Sequence, residues 1–127
     1  SNFYIDRRET TNTHCQIIND DEVKDYLIKK GFSIYKVGTL NFFEQIYLFN
    51  NAKIIIGAHG AAFANLVFCN KDTKVIDIIP ENHPNLVDAS IGKYKKLNFN
   101  YIKTKKLHDK NLNGDIWLDI NDLNKLI

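Results

Sequence analysis

Apolar positions along the chain form two kinds of run, and the two alternate. Short runs rich in β-branched or aromatic residues, Phe3-Tyr4-Ile5, Phe32–Val37, Lys53–Ile56, Lys74–Ile79 and Phe99–Lys103, read as strands. Between them lie segments with helical spacing. Asn19 or Asp20 caps a helix running to about Lys30, with Asp20, Asp21 and Glu22 at its positive end and Gly31 as its stop. Its buried stripe is expected at Val23, Tyr26, Leu27 and Lys30. A second helix, Phe42–Asn50 behind Asn41, is expected to bury Phe43, Ile46, Tyr47 and Phe49 or Asn50. A third covers Ala61–Phe68, a fourth Leu86–Leu97 with a break at Gly92, and a last one Asn121–Ile127. Ile116-Trp117-Leu118 is expected as a short strand.

Strands alternating with helices at this spacing predict an α/β domain, a mostly parallel sheet flanked by helices. Right-handed crossovers bring every strand C-terminus to one edge. Three loops meet there: Asp6-Arg7-Arg8, Gly57–Ala62 and Pro80–His83. The densest signal is Lys53-Ile54-Ile55-Ile56-Gly57-Ala58-His59-Gly60-Ala61-Ala62-Phe63-Ala64-Asn65, a strand expected to turn at glycine into a helix. Such a junction offers an anion close backbone approach and unpaired N–H groups.

The chain has 127 residues, 44% of them hydrophobic and 25% charged, which suits one globular domain over residues 1–127. It starts Ser1-Asn2 and holds no methionine, so it is expected to be an excerpt or processed piece that has lost a partner domain. No apolar run approaches the roughly 18 to 20 residues of a membrane span. Two cysteines, Cys15 and Cys69, make no disulfide framework, and Cys69 is expected in the core. With no Asn-x-Ser/Thr sequon, a cytoplasmic setting is expected, with the inner face of a membrane as a further site of action. A net charge of +2 gives no case for nucleic acid. Lys93, Lys95, Lys96, Lys103, Lys105, Lys106 and Lys110 form either a solvated basic face or an edge that draws a phosphorylated ligand or an anionic membrane.

The chemistry-bearing residues each admit two readings. Arg7 either clamps phosphate oxygens as a planar fork or pairs with a surface carboxylate, and Arg8 is the more solvent-facing of the two. The amides of Gly60, Ala61 and Ala62 can donate to the same anion. His59, next to Gly57 and Gly60 in the turn, contacts ligand, braces the turn through backbone, or acts as a general base. Glu81, just past a strand end, either accepts from ribose hydroxyls or is an exposed loop acid. Asn65 is expected to tie neighbouring segments together, and Glu44 and Gln45 sit on a helix whose start either faces the cleft or the surface. No Cys/His spacing fits zinc, and Asp20-Asp21-Glu22 is read as helix-capping rather than metal-binding. A hydrolase finds no Gly-x-Ser-x-Gly turn.

Four segments in order carry a family resemblance. They are Tyr4-Ile5-Asp6-Arg7-Arg8, Ile17-Ile18-Asn19-Asp20-Asp21-Glu22-Val23, Asn41-Phe42-Phe43-Glu44-Gln45-Ile46-Tyr47-Leu48-Phe49, and Ile55-Ile56-Gly57-Ala58-His59-Gly60-Ala61-Ala62-Phe63-Ala64-Asn65-Leu66-Val67-Phe68. Together, from about Tyr4 to Pro80, they resemble the C-terminal region of glycosyltransferase family 61. The resemblance implies a Rossmann-like domain, the donor-binding half of a GT-B enzyme, working with an N-terminal half. It implies transfer from a nucleotide sugar to an acceptor glycan or glycoconjugate in polysaccharide synthesis, inverting and metal-independent, with no cofactor. The implied donor-binding set is Arg7, Arg8, Gly57, His59, Gly60, Ala61, Ala62 and Glu81, with Asn65, Glu44 and Gln45 as structural parts of the motif. Three positions depart from the pattern: Cys15-Gln16 stand where an arginine is usual, Asp20 replaces a glutamate, and Ala64 replaces a threonine. The competing reading is a non-catalytic nucleotide- or polyanion-binding module, or a degenerate transferase.

Overall fold

A computed structural model describes residues 1–7, 17–58, 60–80, 95–104 and 116–127, with backbone alone at Ala61 and Ala62. Within these residues five strands form one parallel sheet: β1 (Asn2–Ile5), β2 (Ser33–Tyr35), β3 (Ile54–Ala58), β4 (Lys74–Pro80) and β5 (Asn98–Thr104). Their order is β2-β1-β3-β4-β5. The helices are α1 (Asp20–Lys29), α2 (Phe42–Asn50) and α3 (Ile120–Leu126), with a 3-10 helix over Ala61–Phe68.

A parallel sheet buried on both faces needs apolar side chains at successive positions, and β1, β3 and β4 supply them. Strand alternation then sorts them into two cores. Tyr4, Ile56, Ile76, Ile78 and Ile102 pack beneath α1 and α3, against Val23, Leu27 and Leu123. Phe3, Ile5, Ile55 and Val75 pack on the other face, against Leu48 and Phe49 of α2 and Phe63 and Leu66 of the 3-10 helix.

Local chemistry sets the ends of the helices. Asn41 and Glu44 form a reciprocal capping box at the start of α2, with bonds of 2.8 and 2.9 Å. Gly31, at φ +89°, closes α1: its N–H donates to the Ile28 carbonyl, and the Phe32 N–H to the Leu27 carbonyl. That pair of bonds is a Schellman stop, which requires the left-handed backbone glycine tolerates.

Several sequence expectations change. The Phe32–Val37 strand contracts to Ser33–Tyr35, and Val37 opens a 3-10 turn. The strand expected to stop at Ile56 runs on through Gly57 and Ala58, so Gly57 is a strand residue and not a turn. The helix after it is 3-10 throughout. The inward stripe of α1 takes Lys24 in place of Lys30, because two carboxylates receive the Lys24 ammonium. On α2 the buried pair is Leu48 and Phe49, while Phe43 and Tyr47 stand 79% and 73% exposed. The helix rests on the sheet through a narrow stripe, and nothing among the described residues covers its aromatic side. Ile116 makes a single bridge to Ile17 in place of a strand. The expected Leu86–Leu97 helix and the Asn82–Asn85 loop lie largely outside the described residues, as does Cys15. No helix of the described residues is long and apolar enough to cross a membrane.

Candidate functional site

From β1 the chain steps outward to β2, then returns past β1 to β3, so the strand order reverses between β1 and β3. Ligands in open α/β sheets bind in the crevice at such a reversal, beyond the strand C-termini. The segments leaving β1 and β3 here are Asp6-Arg7 and His59-Gly60.

The structure brings Arg7 and Gly60 together. A Cβ added to Gly60 would lie 2.8 Å from Arg7 Cζ, 2.9 Å from Nε and 3.1 Å from Nη2. The guanidinium therefore occupies the space a side chain at position 60 would need. Gly60 has φ 176°, an extended backbone open to any residue. The first bond of the 3-10 helix runs from the Phe63 N–H to the Gly60 carbonyl, 3.1 Å, so the Ala61 and Ala62 amides precede that ladder. An arginine fork beside the start of a helix has the donors that an anionic oxygen cluster can accept from.

Gly57 has a different purpose. A Cβ there would meet Ile5 Cβ at 3.2 Å and Phe63 Cζ at 3.4 Å, so its hydrogen lets the 3-10 helix settle on the sheet. It is buried within β3, and in this structure it is a packing residue. Asn65 ties segments together as expected: its Nδ2 donates to Gln45 Oε1 at 2.8 Å, and Gln45 Nε2 donates to the Leu40 carbonyl at 3.0 Å. These two bonds hold the 3-10 helix against the start of α2. Glu44 is an exposed capping acid. Arg8, His59 and Glu81 lie outside the described residues, and Ala61 and Ala62 contribute backbone only.

A charged network missed by sequence reasoning lies on the opposite side of the β1 exit. Lys24 Nζ donates to Asp6 Oδ2 at 2.7 Å and pairs with Asp20 Oδ2 at 2.9 Å. Tyr4 OH donates to Asp20 Oδ1 at 2.6 Å. Asp20 thus faces inward instead of capping α1, and Asn19, the N-cap residue, makes no cap bond with its side chain. Asn19 Nδ2 reaches the Leu118 carbonyl at 2.7 Å and its Oδ1 accepts from the Leu118 N–H at 2.9 Å. Burial raises the Tyr4 phenol well above its usual range, and the Asp20 carboxylate pushes it further. The i,i+4 spacing of Asp20 and Lys24 was a legible signal, but their burial was not. Asp77 was also passed over. It is fully buried in β4, level with Gly57 of β3 and Tyr101 of β5, and its signal was a lone acid within Val75-Ile76-Asp77-Ile78-Ile79.

Two comparisons with known proteins bear on these residues. The family model for glycosyltransferase 61 matches residues 2–76, which include all of β1, α1, α2, β3 and the 3-10 helix. Beta-1,2-xylosyltransferase RCN11 of Oryza sativa subsp. japonica is 36% identical over 63 residues, 50% of this chain and 12% of its own length. The chain thus matches only about an eighth of that relative. No solved structure matches. With the model spanning more than half of the chain and every element that builds the Arg7–Gly60 crevice, this chain belongs to glycosyltransferase family 61.

Proposed function

We propose that this chain holds the diphosphate of a nucleotide-sugar donor for a glycosyltransferase, as the Rossmann-like donor half of a GT-B enzyme. The observation that carries the reading is the Arg7 guanidinium seated on Gly60 at the β1/β3 reversal. As the bond from sugar to diphosphate breaks, positive charge grows on the sugar carbon and negative charge on the departing oxygens. Fixed donors aimed at that negative charge stabilise the transition state more than the ground state. Arg7 supplies a fork, and the amides of Gly60, Ala61 and Ala62 supply neutral donors. His59, Arg8 and Glu81 are assigned by their position in sequence to the same crevice.

The xylosyltransferase relative supports a pentosyl or hexosyl donor. A β-linked product made from an α-linked donor requires inversion, hence a base on the far side of the sugar. We assign that base to the N-terminal half of the full protein. Charge stabilisation in this scheme runs through Arg7 and the helix start, without a metal, and transfer is expected to persist in EDTA.

Calorimetric titration with UDP, GDP and CMP sugars tests the reading, followed by an assay of sugar release or transfer. The chain is expected to bind at least one of them. Arg7→Gln and Gly60→Ala are each expected to weaken that binding by about tenfold or more, the loss of a charge-assisted contact. Wild-type protein that binds none, or variants that bind as wild type does, would overturn it. Binding without turnover, even with the N-terminal half present, favours the non-catalytic module instead.

A further inference from the structure

Asp6 and Arg7 are consecutive residues that follow β1. Asp6 is buried against Lys24 of α1, and the Arg7 guanidinium lies against Gly60. We propose that Lys24 is a positioning residue for the anion site: by gripping Asp6 it sets the direction in which Arg7 leaves the strand.

Three features carry this. First, the grip is buried, with the Lys24 and Asp6 side chains 9% and 3% exposed, so their 2.7 Å contact acts with little screening by water. Second, the Asp6 backbone is held as well, its N–H donating to the Tyr35 carbonyl at 2.9 Å. With the main chain tied to β2 and the side chain tied to α1, position 6 has little rotational freedom left. Position 7 leaves from a residue held in this way, which limits where the Arg7 side chain can reach. Third, the charge is apportioned. Lys24 answers two carboxylates, Asp6 and Asp20, with Tyr4 donating to the second. Arg7 is near enough to the Tyr4 phenol to act on it through space.

Lys24 touches no ligand in this scheme. It works through Asp6 and Arg7, and so rests on the reading of Arg7 as the anion clamp. No motif marks it. Its role depends on α1 crossing the sheet with position 24 directly over position 6.

The test uses the full chain with inorganic pyrophosphate and UDP as probes, titrated by calorimetry well below each protein's unfolding temperature. Near-UV circular dichroism confirms the fold of each variant. Arg7→Gln is expected to weaken both probes by about tenfold or more. Lys24→Met, which leaves Arg7 in place, is expected to weaken them to a similar degree. Asp6→Asn keeps the Lys24–Asp20 pair charge-balanced and is the variant expected to fold in any case. It should weaken both probes by about threefold or more. A purely structural role for the network would lower the unfolding temperature and leave the affinity of the folded protein unchanged. Folded Asp6→Asn protein that binds like wild type, beside an Arg7→Gln protein that does not, overturns the inference and leaves the anion clamp standing. If Lys24→Met does not fold, Asp6→Asn decides alone. Wild-type protein that binds neither probe, or Arg7→Gln protein that binds both normally, overturns the clamp and this inference with it.

Discussion

Two side-chain networks flank the crevice, and they are built from different chemistry. On the α1 side, Tyr4, Asp6, Asp20 and Lys24 form a buried, charged network. On the α2 side, Asn65, Gln45 and the Leu40 carbonyl form a neutral chain of amide hydrogen bonds, partly open to solvent. Both hold a segment that borders the site. The neutral chain can lose a member and let water take its place. The charged network cannot, since removing one partner strands a charge where water does not reach. Tolerance to mutation should therefore differ sharply between two regions that look alike in outline.

Lys24→Met gives the largest effect expected. It removes the Lys24 cation from the buried Asp6 carboxylate and the partly buried Asp20, and chemical denaturation should show a loss of about 3–5 kcal/mol. A loss under about 1 kcal/mol would show that the network is no more costly to break than the amide chain.

Tyr4→Phe comes next. It removes a donor to a buried carboxylate and should cost about 1.5–3 kcal/mol at pH 7. It also tests linkage. The folded Tyr4 phenol is raised above its usual value of 10.0, so the unfolded chain releases that proton first. The stability tied to the protonated phenol is intact below pH 10 and is lost as pH rises beyond it. Wild-type protein should lose stability along that range with about one proton more of slope than Tyr4→Phe. Equal slopes would place the phenol's titration elsewhere.

The neutral chain should respond more mildly. Asn65→Ala and Gln45→Ala should each cost about 1 kcal/mol, and the double variant only slightly more than either. Additive losses would mean that the two amides do not act through one another.

The smallest effect concerns Cys69, beneath the 3-10 helix. Burial pushes its thiol up to about 12, so the native thiol stays protonated near pH 8. In a Cys15→Ser background, a thiol reagent should label native protein at least about a hundredfold more slowly than unfolded protein. Fast labelling would show that the α2 side opens readily, which sharpens the contrast with the α1 side.

Much of the site was legible before the fold. Asn41 with Glu44 three residues later is a capping box in any context, and α2 begins there. The apolar runs of β1, β3 and β4 left little choice but a buried parallel sheet. Arg7 and Gly60 are both legible in the sequence, one as a fork and one as a close-approach glycine, and the fold adds that the two lie against each other. Gly57, read as the turn, is a strand residue, and the Ile5 side chain on β1 crowds the space a Cβ there would take. On α2, Phe43 and Tyr47 satisfied helical spacing yet face outward, because spacing defines a stripe without saying which stripe meets the sheet.

The sequence alone determined the alternation of strands and helices, the stop of α1, the cap of α2, and the family. All of these rest on local chemistry or on patterns carried along one segment. Only the tertiary structure decided that strand order reverses at Arg7 and Gly60. It also decided that Lys24 turns inward onto Asp6 and that Arg7 lies against Gly60. Those outcomes depend on which residues meet across 18 to 53 positions of chain, as Asp6 meets Lys24 and Arg7 meets Gly60. A buried charge declares itself only when its partner arrives, and the partner is chosen by packing.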